Sequence, residues 1–281
     1  MATTDDLTNQ QKQQWSSAAL GWERWGDWFD RNSGNLAEWL CDAAGLKAGD
    51  RVLDLACGAG GLVGPESARV GSRGHVSATD LSTDMVEATR RRVQRMGLDN
   101  VDVQEMDAQA LTFGNASFDA AVCRFGLMFC PDPVRAASEI RRVLRPGGRF
   151  SLAVWDVPQK NPFFTIVGGV IAEFVPAPPP DPTLPGVFRL APPGELQRVL
   201  EAGGFSDIAV EARPITLTYA SPQEYWQIMT DIAAPLRTAM SKLGPDEVAK
   251  LKARVLEVAA AHVSGGMVKF AAVPLCASAT A

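Results

Sequence analysis

Val52-Leu53-Asp54-Leu55-Ala56-Cys57-Gly58-Ala59-Gly60-Gly61 runs from apolar residues through an acid into a glycine-rich turn. A short apolar run closed by glycines is the pattern of a buried parallel strand entering a tight turn. A helix is expected to follow to Val70. About twenty residues beyond the glycines, His75-Val76-Ser77-Ala78-Thr79-Asp80 repeats the pattern and again ends on an acid. Ser82 then caps a helix running through Met85, Ala88 and Arg90-Arg91-Arg92. Val101 to Met106 gives a third strand, followed by Asp107. Phe118 to Arg124 gives a fourth and Arg149 to Trp155 a fifth. Between the last two, Pro133 to Leu144 reads as a helix that stops at Pro146-Gly147-Gly148. Strands alternating with helices at this spacing require a parallel sheet covered on both faces.

Outside residues 46–155 the pattern changes. Upstream, over residues 1–45, apolar residues recur at helical spacing from about Gln10 to Gly45, with Trp15, Trp22, Trp25 and Trp39 among them. Five of the seven tryptophans fall in the first 40 residues. Downstream, residues 156–193 hold ten of the 19 prolines, Pro178-Pro179-Pro180 included, around one apolar segment, Phe163 to Val175. Proline fixes φ and removes a donor, so this stretch is expected to be an insertion over one edge of the core. Residues 194–220 resume the core with a helix, Gly194 to Gly203, and a long strand, Phe205 to Tyr219. Residues 221–264 form a second, helical insertion opened by Ser221-Pro222-Gln223-Glu224. Residues 265–281 supply a last strand, Val268 to Ala277, expected to pair antiparallel with Phe205–Tyr219.

Charge and cysteine usage narrow the function classes. Lys+Arg 27 against Asp+Glu 32 gives a net charge of −5. That balance offers no general attraction to nucleic acid or anionic lipid. Cys41, Cys57, Cys123, Cys130 and Cys276 form no CxxC pair and no His-flanked spacing, which predicts reduced thiols, no metal site and a cytoplasmic protein. Residues 1–14 lack the apolar stretch of a secretory signal. Phe163 to Val175 is interrupted by Glu173 and is too short for a membrane span.

The glycine turn and Asp80 together point to nucleotide binding at the carboxyl edge of a doubly wound sheet. Glycines let the backbone approach a ligand, and an acid closing the next strand accepts hydrogen bonds from both ribose hydroxyls. A dinucleotide fingerprint places a third glycine where this chain has Val63, and no Gly-Lys-Ser/Thr follows for a triphosphate. A ligand with a ribose and no phosphate fits better, and S-adenosylmethionine is the common one.

Five ordered motifs then carry a resemblance: Leu53-Asp54-Leu55-Ala56-Cys57-Gly58-Ala59-Gly60, Asp80-Leu81-Ser82, Met106-Asp107-Ala108-Gln109-Ala110-Leu111, Ser117-Phe118-Asp119 and Arg142-Val143-Leu144-Arg145-Pro146-Gly147-Gly148. Together they resemble the class I S-adenosylmethionine-dependent methyltransferases, and among these the ubiquinone/menaquinone-type small-molecule group. The resemblance covers residues 50–155 and implies a Rossmann-like, seven-stranded, mostly parallel sheet with an N-terminal helical lid and helical cap insertions. It implies that Asp54, with the backbone of Gly58 and Gly60, holds the methionine end of the cofactor, and that Asp80 binds the ribose. Leu81 and Met85 would pack beside the adenine. Asp107 would accept from the adenine amino group, Ala108 would add a backbone contact, and Arg124 would border the methionine carboxylate. Ala56 departs from the glycine common at that position. The Arg90–Arg95 cluster is expected to be a solvated helix face.

On the acceptor side, Arg124-Phe125-Gly126 lacks the Asn/Asp-Pro-Pro-aromatic run of enzymes that methylate nucleic-acid amino groups. An apolar lid formed by the N-terminal segment and the insertions, with Trp22, Trp25, Phe125 and Trp155 in the pocket, suits a hydrophobic or aromatic small molecule. Of the two histidines, His75 sits at the wrong end of its strand, so His262 is the candidate base. The expected reaction is methyl transfer to oxygen or nitrogen, ahead of carbon. A non-catalytic S-adenosylmethionine-binding protein and an NAD(P)-dependent oxidoreductase are the alternatives.

Overall fold

The computed structural model describes residues 3–176 and 181–281, so Pro178-Pro179-Pro180 lies outside the described residues. In chain order the strands are β1 (Arg51–Leu55), β2 (His75–Asp80), β3 (Val101–Glu105), β4 (Phe118–Arg124), β5 (Leu144–Trp155), β6 (Ser206–Ala212), β7 (Ile215–Tyr219), β8 (Val263–Ser264), β9 (Met267–Ala272) and β10 (Pro274–Thr280). The helices are α1 (Thr4–Asn32), α2 (Leu36–Ala43), α3 (Val63–Val70), α4 (Thr83–Met96), α5 (Pro133–Val143), α6 (Pro162–Phe174), α7 (Glu195–Ala202), α8 (Pro222–Ile232), α9 (Ala234–Met240) and α10 (Pro245–Ala260).

The main sheet has seven strands in the order β3-β2-β1-β4-β5-β10-β6, with β10 antiparallel to both neighbours. Alternate residues of β1 face opposite layers: Val52 packs in a cluster with Leu40 of α2 and Val63 of α3, while Leu53 and Leu55 join Ile140 of α5 and Leu200 of α7. Burial on both faces is why β1 reads as a continuous apolar run and not as an alternation. From β1 the chain steps outward to β2 and β3, then returns to place β4 on the other side of β1. The loops leaving the carboxyl ends of β1 and β4 therefore diverge and leave a crevice.

A second, three-stranded sheet in the order β7-β9-β8 carries the cap. At its aromatic centre Tyr219 meets Tyr225 edge-on at 5.0 Å, and Tyr225 lies tilted against Phe270 at 5.0 Å. The Tyr225 hydroxyl donates to the Phe163 carbonyl at 2.7 Å, which ties α8 to α6. This sheet corrects the sequence reading. The expected strand Phe205–Tyr219 is two strands, and so is Val268–Ala277, so residues 194–220 and 265–281 are each divided between two sheets. The antiparallel pairing holds in both halves, β10 with β6 and β9 with β7. Pro214 and Pro274 have no amide proton to extend a ladder. At the same break the buried Asn161 accepts from the Val273 amide at 2.9 Å and donates to the Asp156 carbonyl at 2.9 Å.

The N-terminal segment is likewise two helices. The chain turns at Gly34, whose φ of 60° lies in the left-handed region that favours glycine. α1 begins at a capping box in which Thr3 and Asp6 exchange hydrogen bonds. It crosses α8 at Gly21, where an added Cβ would overlap the Asp231 backbone. Trp25 and Arg24 both donate to Asp231 Oδ2, at 2.8 and 3.0 Å, and Arg237 of α9 donates to Ser17 Oγ at 3.1 Å. Trp28 is buried against Tyr219 and donates to the Thr218 carbonyl at 3.0 Å. No described helix is long and apolar enough to cross a membrane.

Replacing Asn161 by Ala strands the Val273 amide and the carbonyls it serves inside the protein. The expected loss is about 2–4 kcal/mol. Calorimetry should show Tm lowered by roughly 5–12 °C; a Tm within the error of wild type would show that the two-sheet break holds without this carboxamide.

Candidate functional site

The crevice between β1 and β4 opens into a cleft with about 1120 Å³ of empty space, its mouth included. Its floor is the turn after β1. Ala56, Gly58 and Gly60 all adopt positive φ, at 51°, 57° and 79°, so three left-handed residues within five positions curl the backbone back under the cleft. Ala56 carries a Cβ in that region, as does Phe125 at 61° after β4, and such strain at two adjacent strand ends is typical of sites held for a ligand. Gly126 lets the two turns start in contact before they part: an added Cβ there would overlap that of Ala56.

Asp80, at the end of β2, organises the floor. Its Oδ2 accepts from the Gly58 amide at 2.9 Å and its Oδ1 from the Ser82 amide at 2.9 Å. Burial pushes its carboxyl up to about 6 from the ordinary 3.8, against the downward pull of the backbone amides. Asp54 is 1% exposed, and neither of its carboxyl oxygens has a hydrogen-bond partner in the protein. Burial drives it well above the usual carboxylate range; Arg124 pulls it down and Asp80 adds to the rise. Glu66, on α3, is completely buried behind Asp54 with both oxygens also unpartnered, and burial together with the Asp54 charge raises it in the same direction.

Arg124, ending β4, pairs through Nη2 with Asp30 of α1 at 2.8 Å and lies 5.4 Å from the centre of the Phe29 ring. Its Nη1 is buried and has no partner. The other Asp30 oxygen accepts from Arg92 of α4 at 2.7 Å. Asp107, past the end of β3, accepts from the Gln109 amide at 2.8 Å and from the Gln109 carboxamide at 3.1 Å. Leu81, Met85 and Met106 give the wall beside it an apolar character. The roof is α1, which brings Gln11, Trp15, Trp22 and Phe29 to the cleft on one face. Trp15 meets Phe129 edge-on at 4.8 Å, and Phe29 meets Phe125 at 5.9 Å.

The structure brings Asp54, Gly58, Asp80, Leu81, Met85, Asp107, Ala108, Arg124, Trp22 and Phe125 to this one cleft. Four residues expected there lie elsewhere. Gly60 does not line the cleft; an added Cβ on it would press on Thr89 and Arg92 of α4. Trp25 turns away to Asp231. Trp155 stands behind Phe125, stacked on it at 4.2 Å with the rings 8° apart. His262 packs its ring 4.7 Å from Phe270 in the small sheet, so it faces the cap interior and supplies no base to the cleft.

Sequence reasoning missed Gln11, Phe29, Asp30, Glu66 and Arg92. Arg92 was expected on a solvated face, yet its side chain is 14% exposed because Asp30 draws it under α1. The available signal was Asp27 and Asp30, two acids one turn apart on an aromatic helix. Glu66 carried no signal, since an acid in a short amphipathic helix reads as exposed.

Residues 52–148 match the family described as a methyltransferase domain. An uncharacterised protein of Mycobacterium tuberculosis is 40% identical over 116 residues, 41% of this chain and 41% of its own. A ubiquinone/menaquinone biosynthesis C-methyltransferase of Pseudoalteromonas translucida is 36% identical over 118 residues, 42% of this chain and 47% of its own. The match thus spans less than half the length of these relatives. Among solved structures, phosphoethanolamine N-methyltransferase 2 of Haemonchus contortus, in complex with phosphomonomethylethanolamine and S-adenosylhomocysteine, superposes on 100% of this chain and 60% of its own. Its TM-score is 0.56 at 19% identity, a likeness of fold.

Asp80 also predicts a pH signature of the ligand-free protein. A carboxyl raised on folding keeps its proton to higher pH than in the unfolded chain, so its contribution to stability falls from about pH 4 to about pH 6 and is constant above. In Asp80→Asn that fall is absent. The Tm of the variant minus that of wild type should rise over this window and then level; parallel curves would show that Asp80 is not raised.

Proposed function

We propose that this chain, which carries a methyltransferase domain over residues 52–148, moves a methyl group from S-adenosylmethionine to an oxygen or nitrogen atom of a hydrophobic or aromatic small molecule. The observation that carries the reading is the set of unsatisfied buried atoms around one cleft: both Asp54 oxygens and Arg124 Nη1, beside Asp80. Buried polar atoms are almost always paired, so a cleft built around unpaired ones is complementary to a polar ligand. An acid and a cation facing one cleft match the ammonium and carboxylate of a free amino acid. An acid with open lone pairs beside the glycine turn matches a ribose. Residues Leu81, Met85 and Met106 offer an apolar slot for a purine.

When bound, S-adenosylmethionine supplies an electrophilic methyl group on a sulfonium. The chain's own work is then positional. Asp54 would hold the ammonium, whose positive charge favours the ionised carboxyl and sends its proton to solvent, while Arg124 Nη1 would hold the carboxylate. Asp80 holds the ribose while its backbone bonds keep the turn closed against it. Trp15, Trp22, Phe29, Phe125 and Phe129 line the rest of the cleft and exclude water. Holding two reactants in line is worth up to roughly 7–11 kcal/mol, enough to make positioning the main contribution. Among the described residues no histidine lines the cleft, which favours an acceptor that needs little help in losing its proton, such as an amine or an acidic phenol.

The dinucleotide alternative is disfavoured by Val63, which starts α3 completely buried where a pyrophosphate site has its third glycine. The acidic net charge and the aromatic lining support a small-molecule acceptor over nucleic acid. Five free cysteines, four of them buried, support a cytoplasmic location.

A labelled-methyl screen over amines, phenols and heteroaromatics tests the assignment, alongside the shift in Tm on adding S-adenosylhomocysteine. Stabilisation with no acceptor methylated would reduce the protein to a binder, and stabilisation by NAD(P) alone would overturn the reading. Asp80→Ala should weaken S-adenosylhomocysteine by roughly 30-fold or more in calorimetry, as two charge-assisted bonds are lost. Trp22→Ala should lower kcat/KM for the acceptor about tenfold, because the ring is a large part of the apolar lining of the cleft, and an unchanged kcat/KM would put the ring outside the acceptor's reach.

A further inference from the structure

Gln11 is 7% exposed, lines the cleft, and leaves its carboxamide oxygen buried with no partner. Its nitrogen is engaged, donating to Gln14 Oε1 at 3.3 Å, so the oxygen is the free end. Its neighbours on α1 fix where it sits. One turn before it, Thr8 Oγ1 accepts from the Gln109 carboxamide at 3.4 Å, and that same carboxamide donates to both Asp107 oxygens at 3.1 and 3.2 Å. At the next position, Lys12 pairs with Glu105, the last residue of β3. One turn further, Trp15 meets Phe129, and Ser16 Oγ lies 2.9 Å from Ser82 Oγ at the cap of α4. Contacts on both sides of Gln11 thus pin α1 across the end of β3, over the wall formed by Leu81, Met85, Met106 and Asp107.

We propose that Gln11 is a specificity-determining residue for the cofactor: its carboxamide oxygen accepts a proton of the adenine 6-amino group. This rests on the S-adenosylmethionine reading above. A 6-amino group has two protons, and Asp107 in the wall and Gln11 on the roof are two acceptors lining the same cleft. An amide oxygen opposite a purine edge accepts from an amino group and opposes a carbonyl, so Gln11 selects 6-amino over 6-oxo purines. The roof helix therefore senses the base, and it is held down by the cofactor as well as by the protein.

Calorimetric affinities for S-adenosylhomocysteine and its 6-oxo counterpart, S-inosylhomocysteine, test this in wild type and Gln11→Met. Methionine keeps the length of the side chain and removes the acceptor. The ligand-free Tm should be unchanged or higher, since a buried unpaired oxygen is removed. Affinity for S-adenosylhomocysteine should fall about tenfold, while that for S-inosylhomocysteine is unchanged or rises. Equal losses for both ligands would make Gln11 a packing residue and overturn the proposal, as would no loss for either. Wild type that binds neither ligand would instead remove the cofactor reading on which the proposal stands.

Discussion

Asp80 accepts amide protons from Gly58 and Ser82 at once, so one buried carboxylate joins the turn after β1 to the start of α4. The site is built outward from that clamp. With Gly58 held, the turn keeps its left-handed residues, and the Asp54 carboxyl stays at the floor instead of reaching for solvent. With Ser82 held, α4 starts at a fixed height and carries Met85 to the slot and Arg92 to Asp30. Asp30 in turn belongs to α1, so the position of the roof also depends on the floor. A charge that needs water is instead solvated by backbone amides, and the conflict between those amides and its burial is what moves its titration into the mildly acidic range.

The tryptophans crowded into the first 40 residues divide into two jobs that composition could not separate. Trp28 and Trp25 attach α1 to the cap, through Thr218 and Asp231. Trp15 and Trp22 line the cleft. All four share a helix, and their spacing places them on neighbouring stripes only part of a turn apart. Which stripe meets the cap and which meets the ligand is decided by partners more than a hundred residues away in sequence.

That distinction marks what the amino-acid sequence made legible. The main sheet was readable because each parallel strand, buried on both faces, announces itself by apolar content and by the acid or glycine at its end. Asp54, Asp80 and Asp107 stand at strand ends for the same reason. The second sheet was not readable: nothing in Phe205–Tyr219 other than Pro214 says that the ladder changes partners, and the residue that fixes the change, Asn161, lies in a different segment. His262 looked chemical by residue type, yet a histidine packed on Phe270 serves the cap core. Gln11, Asp30 and Arg92 did not stand out as site residues because each depends on α1 lying across α4, a long-range packing choice whose one local hint is the pair of acids Asp27 and Asp30.

The glycine at the α1–α8 crossing has a consequence for motion. With no side chain at Gly21, the two helices touch backbone to backbone, and the ties from Trp25, Arg24 and Arg237 surround that contact. Any side chain at position 21 would push the two helices apart and strain all three ties. The roof of the cleft is therefore joined to the cap through this crossing and to the core through Asp30 and Ser16, so α1 cannot shift without disturbing both. No described residue of α8 or α9 lines the cleft, yet a substitution that disturbs this crossing reaches the cleft through α1.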